Sequence, residues 1–421
     1  MDSLPKPNAV YYDKPVHRNI IMNFDTNILC SCYDLNYYNF ATAALIKARI
    51  IGNDKEFEEL DVEVLLYFQL QIEFKQKVII SVEKFSAIPL KRQATIMADL
   101  NNNELTISEE WNIFTVPLPD FKKILVTLTI EENMIYTVKS TIVSYELFET
   151  YAFPHIIRSN FDTINAIGID LGTTRCCAAV NRRNGIGTVA LDNQGERLLP
   201  SYVAYDEKNV KFGRIVIDRL RDHSKASVFD SKRYIGKKFR DINIDNNCIL
   251  KLVSTGNMPK NNNTNYYKMK YNEIYFEIES YSGKVLKRPE EVSADLLKRI
   301  KERAEEFQGT NLNEVVITVP AAFTEAQNEA TYVAAKLAGW DLIRFLPEPV
   351  AAAFGYFIDR SIPNNSTVLL FDLGGGTLDV CIFKIQNNEL VIISRSGDPN
   401  LGGRDFDNIL IKYFRDKMKN P

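Results

Sequence analysis

Cysteine and histidine are scarce in this 421-residue chain, which has six cysteines and three histidines. So few cysteines in a chain of this length do not make the disulfide framework of small secreted domains. The pairs Cys30/Cys32 and Cys176/Cys177 lack partner cysteines at zinc spacing, so we interpret them as buried or free thiols. These absences argue against a disulfide-stapled protein and against a structural zinc site.

Long apolar runs and an excess of charge of one sign are also missing. No stretch of about 18 apolar residues occurs, so no membrane-spanning helix is expected. The net charge is −3, with 51 basic and 54 acidic residues, which predicts no general attraction to nucleic acid or to an anionic membrane. The first residues, MDSLPKPNAVYYDKP, do not have the basic start and apolar core of a signal peptide, so a cytoplasmic protein is expected.

The character of the sequence changes near residue 160. Between residues 65 and 149, β-branched runs are separated by asparagine clusters and prolines, a pattern typical of an antiparallel β-sandwich. These runs are VIISVEKF, QATIMADL, NELTISEE, KILVTLTI and NMIYTVKSTIV. Residues 1–57 are predicted to mix loop and helix, with a helical pattern from Asn39 to Ile51.

From Ala166 onward the predicted strands and helices alternate, which indicates an α/β fold. EEVSADLLKRIKERAEEF and EAQNEATYVAAKLAGW are predicted helices, and NEVVITVP is a predicted buried strand. One pattern occurs twice: AIGIDLGTTRCCAAV and VLLFDLGGGTLDVCIF each place Asp-Leu-Gly and small or hydroxyl residues between two apolar strands. This repeat predicts two similar lobes that each present one turn to a shared cleft.

The two turns have the composition of phosphate-binding loops. Glycine lets backbone amides approach phosphate oxygens closely, and threonine hydroxyls add further donors. The candidate phosphate ligands are Gly172, Thr173 and Thr174 in the first turn and Gly374, Gly375, Gly376 and Thr377 in the second. Because a carboxylate beside phosphates needs a cation between them, we predict that Asp170, Asp372 and Asp379 hold Mg²⁺ through water molecules.

Hydrolysis of a bound phosphate ester also needs a group that orients water and a positive charge. Lys232, in VFDSKRYIGKKF, and Glu348, in FLPEPVAAAFGYF, are candidates. Each also fits an ordinary structural role. A lysine beside an arginine is usually solvated, and a glutamate between prolines can cap the helix that follows.

Residues 166–421 resemble the start of the ATPase domain of the 70-kDa heat-shock chaperone family. The matching stretches, in family order, are IGIDLGTT, NQGERLLPSYVAY, FDSKRYIGKKF, RPEEVSADLL, VVITVPAAFTEAQNEAT, LPEPVAAAFGY, FDLGGGTLDV and SGDPNLGGRDFDN. The resemblance implies an actin-like ATPase fold with ribonuclease H-like lobes, with ATP or ADP and Mg²⁺ as cofactors. It also implies unfolded polypeptide clients and co-chaperones as partners.

The resemblance gives the candidate residues specific roles. It implies that Lys232 orients the attacking water and that Glu348 contacts the water shell of the metal. Asp372 and Thr377 complete the implied catalytic set, and the glycine pair Gly402 and Gly403 is expected beside the nucleotide.

Three positions bear on how far the family pattern is kept. Pro320 matches the proline that helps relay the nucleotide state between the lobes. Asn328 stands where the family has the arginine that partners this proline, and Arg175 replaces an aromatic residue after the two threonines. At these two positions the chain departs from the family pattern.

Weaker similarities concern the part of the chain before residue 166. Segments that come late in the sequences of this family stand here before the start of its ATPase domain. KPVHRNIIMNF and NFATAALIKARIIGNDKE resemble helices at the end of the ATPase second lobe, and the strand-like runs resemble the peptide-binding β-sandwich. The expected organisation is a second-lobe fragment at 1–57, a β-sandwich at 58–150, a linker at 151–165, the first lobe at 166–345 and part of the second lobe at 346–421. The residues that enclose adenosine match neither part, so weak nucleotide binding with little preference for adenine is expected.

Four interpretations remain open from the sequence. The chain is an ATP-hydrolysing chaperone relative, a nucleotide- or peptide-binding relative that has lost hydrolysis, a truncated product of a recombined or imperfectly predicted gene without independent function, or a sugar kinase or cytoskeletal ATPase.

Overall fold

A computed structural model describes residues 64–419, with gaps at 67, 85, 99–103, 110–111, 132–134, 154–165, 183–184, 243–249, 255–271, 358–359 and 361–363. The expected fragment at 1–57, most of the expected linker and the loop GNMPKNNNTNYY lie outside these residues. The chain divides into two compact units, Met1–Ser144 and Tyr145–Pro421.

The described part of the first unit consists of antiparallel strands. They are β1 Val64–Leu65, β2 Leu70–Phe74, β3 Lys77–Val82, β4 Ala87–Ile88, β5 Leu90–Met97, β6 Glu104–Glu109, β7 Asn112–Pro117, β8 Lys123–Ile130 and β9 Tyr136–Ser144. One sheet has the strand order β3-β2-β6-β7, a second has the order β5-β8-β9, and β1 pairs with β4.

Alternating side chains build the core of this unit. In β8 every second residue is fully buried, namely Ile124, Val126, Leu128 and Ile130, as expected when successive side chains point to opposite faces of a sheet. Leu70 and the other inward residues of β2 belong to the same hydrophobic cluster. The two sheets therefore share one core.

The second unit alternates strands and helices. Its strands before the first large helix are β10 Thr150–Ala152, β11 Ala166–Leu171, β12 Arg175–Arg182, β13 Gly185–Thr188, β14 Leu199–Pro200, β15 Val203–Ala204, β16 Lys211–Phe212, β17 Ser227–Val228, β18 Leu252–Val253, β19 Tyr275–Ser280 and β20 Gly283–Lys287. The later strands are β21 Glu314–Val319, β22 Leu342–Pro347, β23 Thr367–Leu373, β24 Leu378–Gln386 and β25 Glu389–Asp398. The helices are α1 Arg214–His223, α2 Ser231–Tyr234, α3 Pro289–Gln308, α4 Glu325–Leu337, α5 Glu348–Phe357 and α6 Gly403–Lys419, with short 3₁₀ turns at Ser224–Ala226 and Phe239–Asp241.

Two larger sheets carry the repeated motif. In the first, β11, β12 and β13 form an antiparallel meander, and β21 and β22 continue the sheet parallel to β11. In the second, the strand order is β10-β25-β24-β23, and all pairs are antiparallel. Each Asp-Leu-Gly turn is the connection of a hairpin, β11–β12 or β23–β24.

Local sequence signals fix the ends of helices α3 and α4. Helix α3 begins with Pro289 and is followed by the capping residue Gly309, whose φ of 78° is readily adopted only by glycine. Helix α4 begins after Thr324, whose hydroxyl accepts from the Gln327 amide in a capping box. Both helices were predicted from the sequence.

The segment Tyr145–Phe153 spans the boundary expected at residue 150 and packs on the second unit. Thr150–Ala152 forms β10 on the edge of β25, with Tyr151 opposite Leu390. At its start, the Tyr145 amide donates to Glu325 Oε1 over 2.8 Å. We call this segment the strap.

Two expectations about absent features concern the described residues. No helix in them is long and apolar enough to cross a membrane. The described cysteines Cys176, Cys177 and Cys381 are free thiols, in agreement with the interpretation of the Cys176/Cys177 pair. Burial raises the pKa of the Cys176 thiol to about 11.

Candidate active site

The first glycine-rich turn is shaped by Gly172 and Ser201. A Cβ on Gly172 would lie 2.1 Å from the Arg175 carbonyl oxygen, so the backbone can close this tightly only with glycine. Ser201 donates from its hydroxyl to the Gly172 carbonyl over 2.7 Å and from its amide to the Thr174 carbonyl over 2.9 Å. Within the described residues, the amides of Thr173 and Thr174 have no protein acceptor, which leaves them as donors for a ligand.

The second turn is held from behind by the start of α6. The amides of Gly403 and Arg404 donate to the carbonyls of Gly374 and Gly375 over 3.0 and 2.9 Å, and the Gly374 amide donates to Thr377. In the described part of the chain, no protein acceptor pairs with the amides of Gly375, Gly376 and Thr377. Amides that the protein does not pair are the donor set that phosphate oxygens require.

The tips of the two turns touch. A Cβ on Gly375 would lie 2.2 Å from Thr174 Cγ2, and one on Gly376 would lie 2.7 Å from Thr173 Cγ2. A Cβ on Gly402 would lie 2.5 Å from the Gly376 nitrogen. The glycines at these positions therefore let two backbones and the helix start approach each other without side chains between them.

A cavity of about 350 Å³ opens beside these turns. It is lined by Asp170, Gly172, Thr173, Thr174, Arg175, Lys232, Thr318, Glu348, Ala351, Ala352, Asp372, Gly374, Gly375 and Thr377. The predicted residues Gly376, Asp379, Gly402 and Gly403 are not in its lining. They lie in or behind the second turn, and Asp379 is opposite Asp372 in the β23–β24 ladder.

A larger cavity of about 690 Å³ lies elsewhere, between α3 and the region around Asp192 and Lys211. None of the predicted site residues lines it. Its lining has no glycine-rich turn, and Asp192 is occupied by the amides of Gln194 and Glu196. The smaller cavity is therefore the candidate site, because it combines amides, carboxylates and a buried lysine.

Lys232 and Glu348 form a buried ion pair that faces the turns. Lys232 Nζ donates to Glu348 Oε1, and only 7% of the lysine side chain and 16% of the glutamate side chain are exposed. Burial alone would lower the pKa of Lys232, but the charges of Glu348 and Asp170 raise it above its ordinary value. The lysine is therefore held as a cation, and its solvated-surface interpretation is wrong.

The carboxylates Asp170, Glu348 and Asp372 line the same cavity, and Asp379 is buried behind the second turn. Burial is the main reason that the pKa values of Glu348, Asp372 and Asp379 are raised, and neighbouring carboxylates add to the effect. Such a group favours a bound cation, which would remove the repulsion. In the described residues no three His, Cys, Asp or Glu side chains are grouped closely enough to bind a metal ion directly. Oxygens spread around a cavity fit Mg²⁺, which usually retains several waters.

Sequence reasoning missed two residues that shape the site. Thr318 Oγ1 donates to Asp170 Oδ1 over 2.9 Å, and Ser201 holds the first turn. Thr318 is a polar residue near the carboxyl end of a buried parallel strand, where ligands of α/β sheets commonly bind. That position was a usable signal. Ser201 had no comparable signal, because serine is common in loops.

The two positions assigned to the relay lie at the first sheet. Pro320 follows the end of β21, and its carbonyl accepts from the Phe323 amide over 3.1 Å. Asn328 is 3% exposed, and its side-chain amide donates to the Tyr145 carbonyl in the strap over 3.1 Å. Asn328 therefore contacts the strap. Arg175 lines the cavity rim.

Two sheets that each present an Asp-Leu-Gly turn to one cleft, with a buried lysine between them, define an actin-like ATPase fold. The Hsp70 protein family model matches residues 166–421. The chain therefore belongs to the Hsp70 family.

Individual relatives agree with this assignment. The chain is 36% identical over 257 residues to a heat shock 70 kDa protein of Neurospora crassa, a match that covers 60% of this chain and 37% of that protein. It is 36% identical over 257 residues to one of Emericella nidulans, with the same coverage. It is 37% identical over 253 residues to the heat shock 70 kDa protein BIP3 of Oryza sativa subsp. japonica, which covers 59% of this chain and 35% of that protein. The chain thus spans little more than a third of the length of the relatives it matches.

Proposed function

We propose that this chain binds ATP or ADP together with Mg²⁺ in the cavity beside the two turns and hydrolyses ATP. As a member of the Hsp70 family it would couple this cycle to the folding of polypeptide clients, in the cytoplasm and with co-chaperones. The observation that carries the proposal is the buried Lys232–Glu348 ion pair, which faces two turns with unpaired amides.

Phosphate oxygens would be held by both turns. Thr173 and Thr174 would donate from the first turn, and Gly375, Gly376 and Thr377 from the second. Gly402 and Gly403 support the second turn from behind, since a Cβ on Gly402 would collide with the Gly376 backbone and the Gly403 amide donates to Gly374. This arrangement would surround a phosphate chain with donors from two hairpins, which is the positioning that phosphoryl transfer requires.

Lys232 would orient the attacking water and stabilise the charge that develops on the transferred phosphoryl group. Its raised pKa keeps it protonated, and Glu348 fixes its position. Asp170, Asp372 and Asp379 would hold Mg²⁺ through waters, and the bound ion would neutralise phosphate charge. The Thr377 hydroxyl lies at the end of the second turn, where it would contact the terminal phosphate.

Client binding is assigned to the first unit. Its two antiparallel sheets share one core, and the sequence of this region resembles a peptide-binding β-sandwich. We propose that this unit binds extended polypeptide segments and that the ATPase unit regulates the binding.

Calorimetric titration with ADP, with and without Mg²⁺, tests the nucleotide proposal. We expect binding that strengthens when Mg²⁺ is present, and we expect Asp372→Asn to lose most of this strengthening. Asp218→Asn is the matched control, because Asp218 lies in an exposed ion pair on α1 and does not line the cavity. A dissociation constant of about 1 mM corresponds to a binding free energy of only about −4 kcal/mol. If no binding is detected even at about 1 mM nucleotide, the proposal is contradicted.

A further inference from the structure

Two ion pairs connect α2 to the start of α6, outside the cavity. Arg404 Nε and Nη2 lie 3.0 and 3.2 Å from the two carboxylate oxygens of Asp230. Arg233 Nη1 and Nη2 lie 2.9 and 2.5 Å from the two oxygens of Asp405. Each pair is bidentate, the arrangement in which arginine and carboxylate interact most strongly.

The pairs are crossed: each segment supplies one acid and one base. The short segment Asp230–Arg233 is on the side of the first sheet, and Arg404 and Asp405 follow the second sheet directly along the chain. Separating the two sides would break both bidentate pairs, four hydrogen bonds in all. Parting them would expose two half-buried guanidinium groups and two carboxylates, of which Asp230 is buried.

The Arg404 pair is built into the protein rather than lying on its surface. Only 8% of the Asp230 side chain and 23% of the Arg404 side chain are exposed. The Arg404 guanidinium lies 5.2 Å from the Phe229 ring and donates to the Tyr202 hydroxyl over 2.8 Å, and these two rings stack at 4.9 Å. Asp230 has a φ of 55°, a left-handed conformation that Asp and Asn tolerate better than most residues.

Both ends of this network reach the catalytic groups. Lys232 lies between Asp230 and Arg233 in α2, and its amine pairs with Glu348 in the cavity. On the other side, the Arg404 amide donates to the Gly375 carbonyl of the second turn. The ion pairs therefore join the element that carries Lys232 to the turn that would hold phosphate.

We propose that Asp230, Arg233, Arg404 and Asp405 form an interlobe clasp that holds Lys232 in place against the second turn and limits the opening of the cleft. The four are positioning residues, since they act through α2 and the turn. The effect of the clasp on ligand release rests on the proposed function, nucleotide binding. The clasp itself is a property of the ligand-free protein.

Two measurements on the full chain separate these parts. Hydrogen exchange, followed by mass spectrometry without nucleotide, reports opening at the Gly403 and Arg404 amides that bond to the second turn. Stopped-flow release of a fluorescent ADP analogue with Mg²⁺ reports opening of the loaded cleft. The variants are Arg404→Gln, Asp230→Asn and the double variant, with Arg214→Gln, which removes an exposed ion pair with Asp218, as the matched control.

We expect each single variant to speed both exchange and ADP release about tenfold. The double variant should be no faster than the single ones, because both remove the same pair. Arg404→Lys keeps the charge but not the bidentate geometry. Its exchange and ADP release should therefore be faster than those of the wild type but slower than those of Arg404→Gln. Arg214→Gln should match the wild type. Should Arg404→Gln fail to fold, Asp230→Asn carries the test, since it preserves both side-chain size and backbone preference.

Unchanged exchange in both single variants would overturn the clasp. Faster exchange with unchanged ADP release would overturn its role in cleft opening. Effects that multiply in the double variant would show that the two residues act separately and would also overturn it. If the wild type binds no nucleotide, the proposed function fails, and the exchange measurement alone decides on the clasp.

Discussion

Gly375 is the residue at which the two turns come closest. An alanine methyl group there would lie 2.2 Å from Thr174 Cγ2, closer than atoms can approach. Thr174 is β-branched and sits in a turn held by Ser201, so it has little freedom to move away. We expect Gly375→Ala to push the turns apart and to weaken Mg-ADP binding by at least about tenfold, or about 1.4 kcal/mol, as measured by calorimetry.

The matched control is Gly355→Ala. Gly355 lies inside α5, and a Cβ there would have no neighbour within 4 Å. Alanine should stabilise this helix by about 0.5–1 kcal/mol and leave nucleotide binding unchanged. Equal affinities for the two variants would show that contact between the turns is not needed for binding.

The ionised Asp372 carboxyl is proposed to help bind Mg²⁺, but in the metal-free protein it destabilises the fold. We expect this destabilisation to depend on pH. Burial and the charge of Asp170 raise its pKa in the folded protein. A carboxyl group with a raised folded pKa destabilises the fold at higher pH, and this destabilisation disappears as the pH falls through that pKa toward the unfolded value. In metal-free protein we therefore expect Asp372→Asn to have the higher free energy of unfolding at pH 7.

Urea unfolding at several pH values measures this difference. It should shrink as the pH is lowered from 7 toward the ordinary aspartate pKa of about 3.9, because the wild-type carboxyl then takes up its proton. A variant that is less stable than the wild type at pH 7 without Mg²⁺ would show that the carboxylate is stabilising, contrary to this account.

At the scale of secondary-structure elements, alternating patterns predicted the strands that have one buried face. They missed a strand whose side chains are mostly exposed. KILVTLTI and NEVVITVP alternate between buried and more exposed positions, and both are strands in the structure. The strand β7, NIFTVP, was missed because its side chains are mostly exposed at the edge of a sheet. The strand β2 lies in a stretch that resembles the family's linker and first substrate-domain strand, and its residues Leu70, Ile72 and Phe74 alternate with polar ones.

The strap depends on Tyr151 for its attachment. This residue is 4% exposed, and its hydroxyl donates to the Phe148 carbonyl over 3.0 Å. We expect Tyr151→Ala to lower the free energy of unfolding of the second unit by about 3 kcal/mol, as for other large aromatic residues truncated in a core. Tyr281→Ala, at a residue 69% exposed, is the control and should change it by less than about 0.5 kcal/mol.

Denaturant unfolding, followed by a probe in the second unit, measures the effect. A change as small as that of Tyr281→Ala would mean that β10 adds little to the sheet and that the strap is only loosely attached.

At the scale of the whole molecule, the parts of the candidate site that could be predicted are those formed by residues close together in the sequence. Each turn carries its own glycines and aspartate, so both could be found without knowing the fold. The repetition of the pattern indicated that the turns face one cleft. The contact between Asp230 and Arg404 could not be predicted in this way, because these residues are 174 positions apart and neither lies in a repeated pattern.

One surface of the second unit predicts self-association. In the described residues β23 pairs only with β24, and Leu369 and Phe371 on it are 66% and 64% exposed. Several apolar side chains of α6 are also exposed, among them Ile409 and Phe414. An edge strand with exposed apolar side chains is a template for pairing with another chain.

We expect Leu369→Lys to reduce concentration-dependent association, because a charge on an edge strand opposes pairing. Analytical ultracentrifugation over a range of concentrations measures this. Leu337→Lys, on α4 and 54% exposed, is the control and should associate as the wild type does. A wild type that stays monomeric at all concentrations would contradict this prediction.

The central claim is that Lys232 acts on phosphate held by the two turns, and single-turnover phosphate release from Mg-ATP tests it most directly. Lys232→Ala should remain folded, because the raised pKa of Glu348 lets this carboxyl take up a proton when its partner is removed. We predict that the variant releases phosphate about 100-fold more slowly or worse, while its ATP affinity changes little, since a group that acts mainly in the transition state affects rate more than binding. A variant that releases phosphate at the wild-type rate would contradict the account.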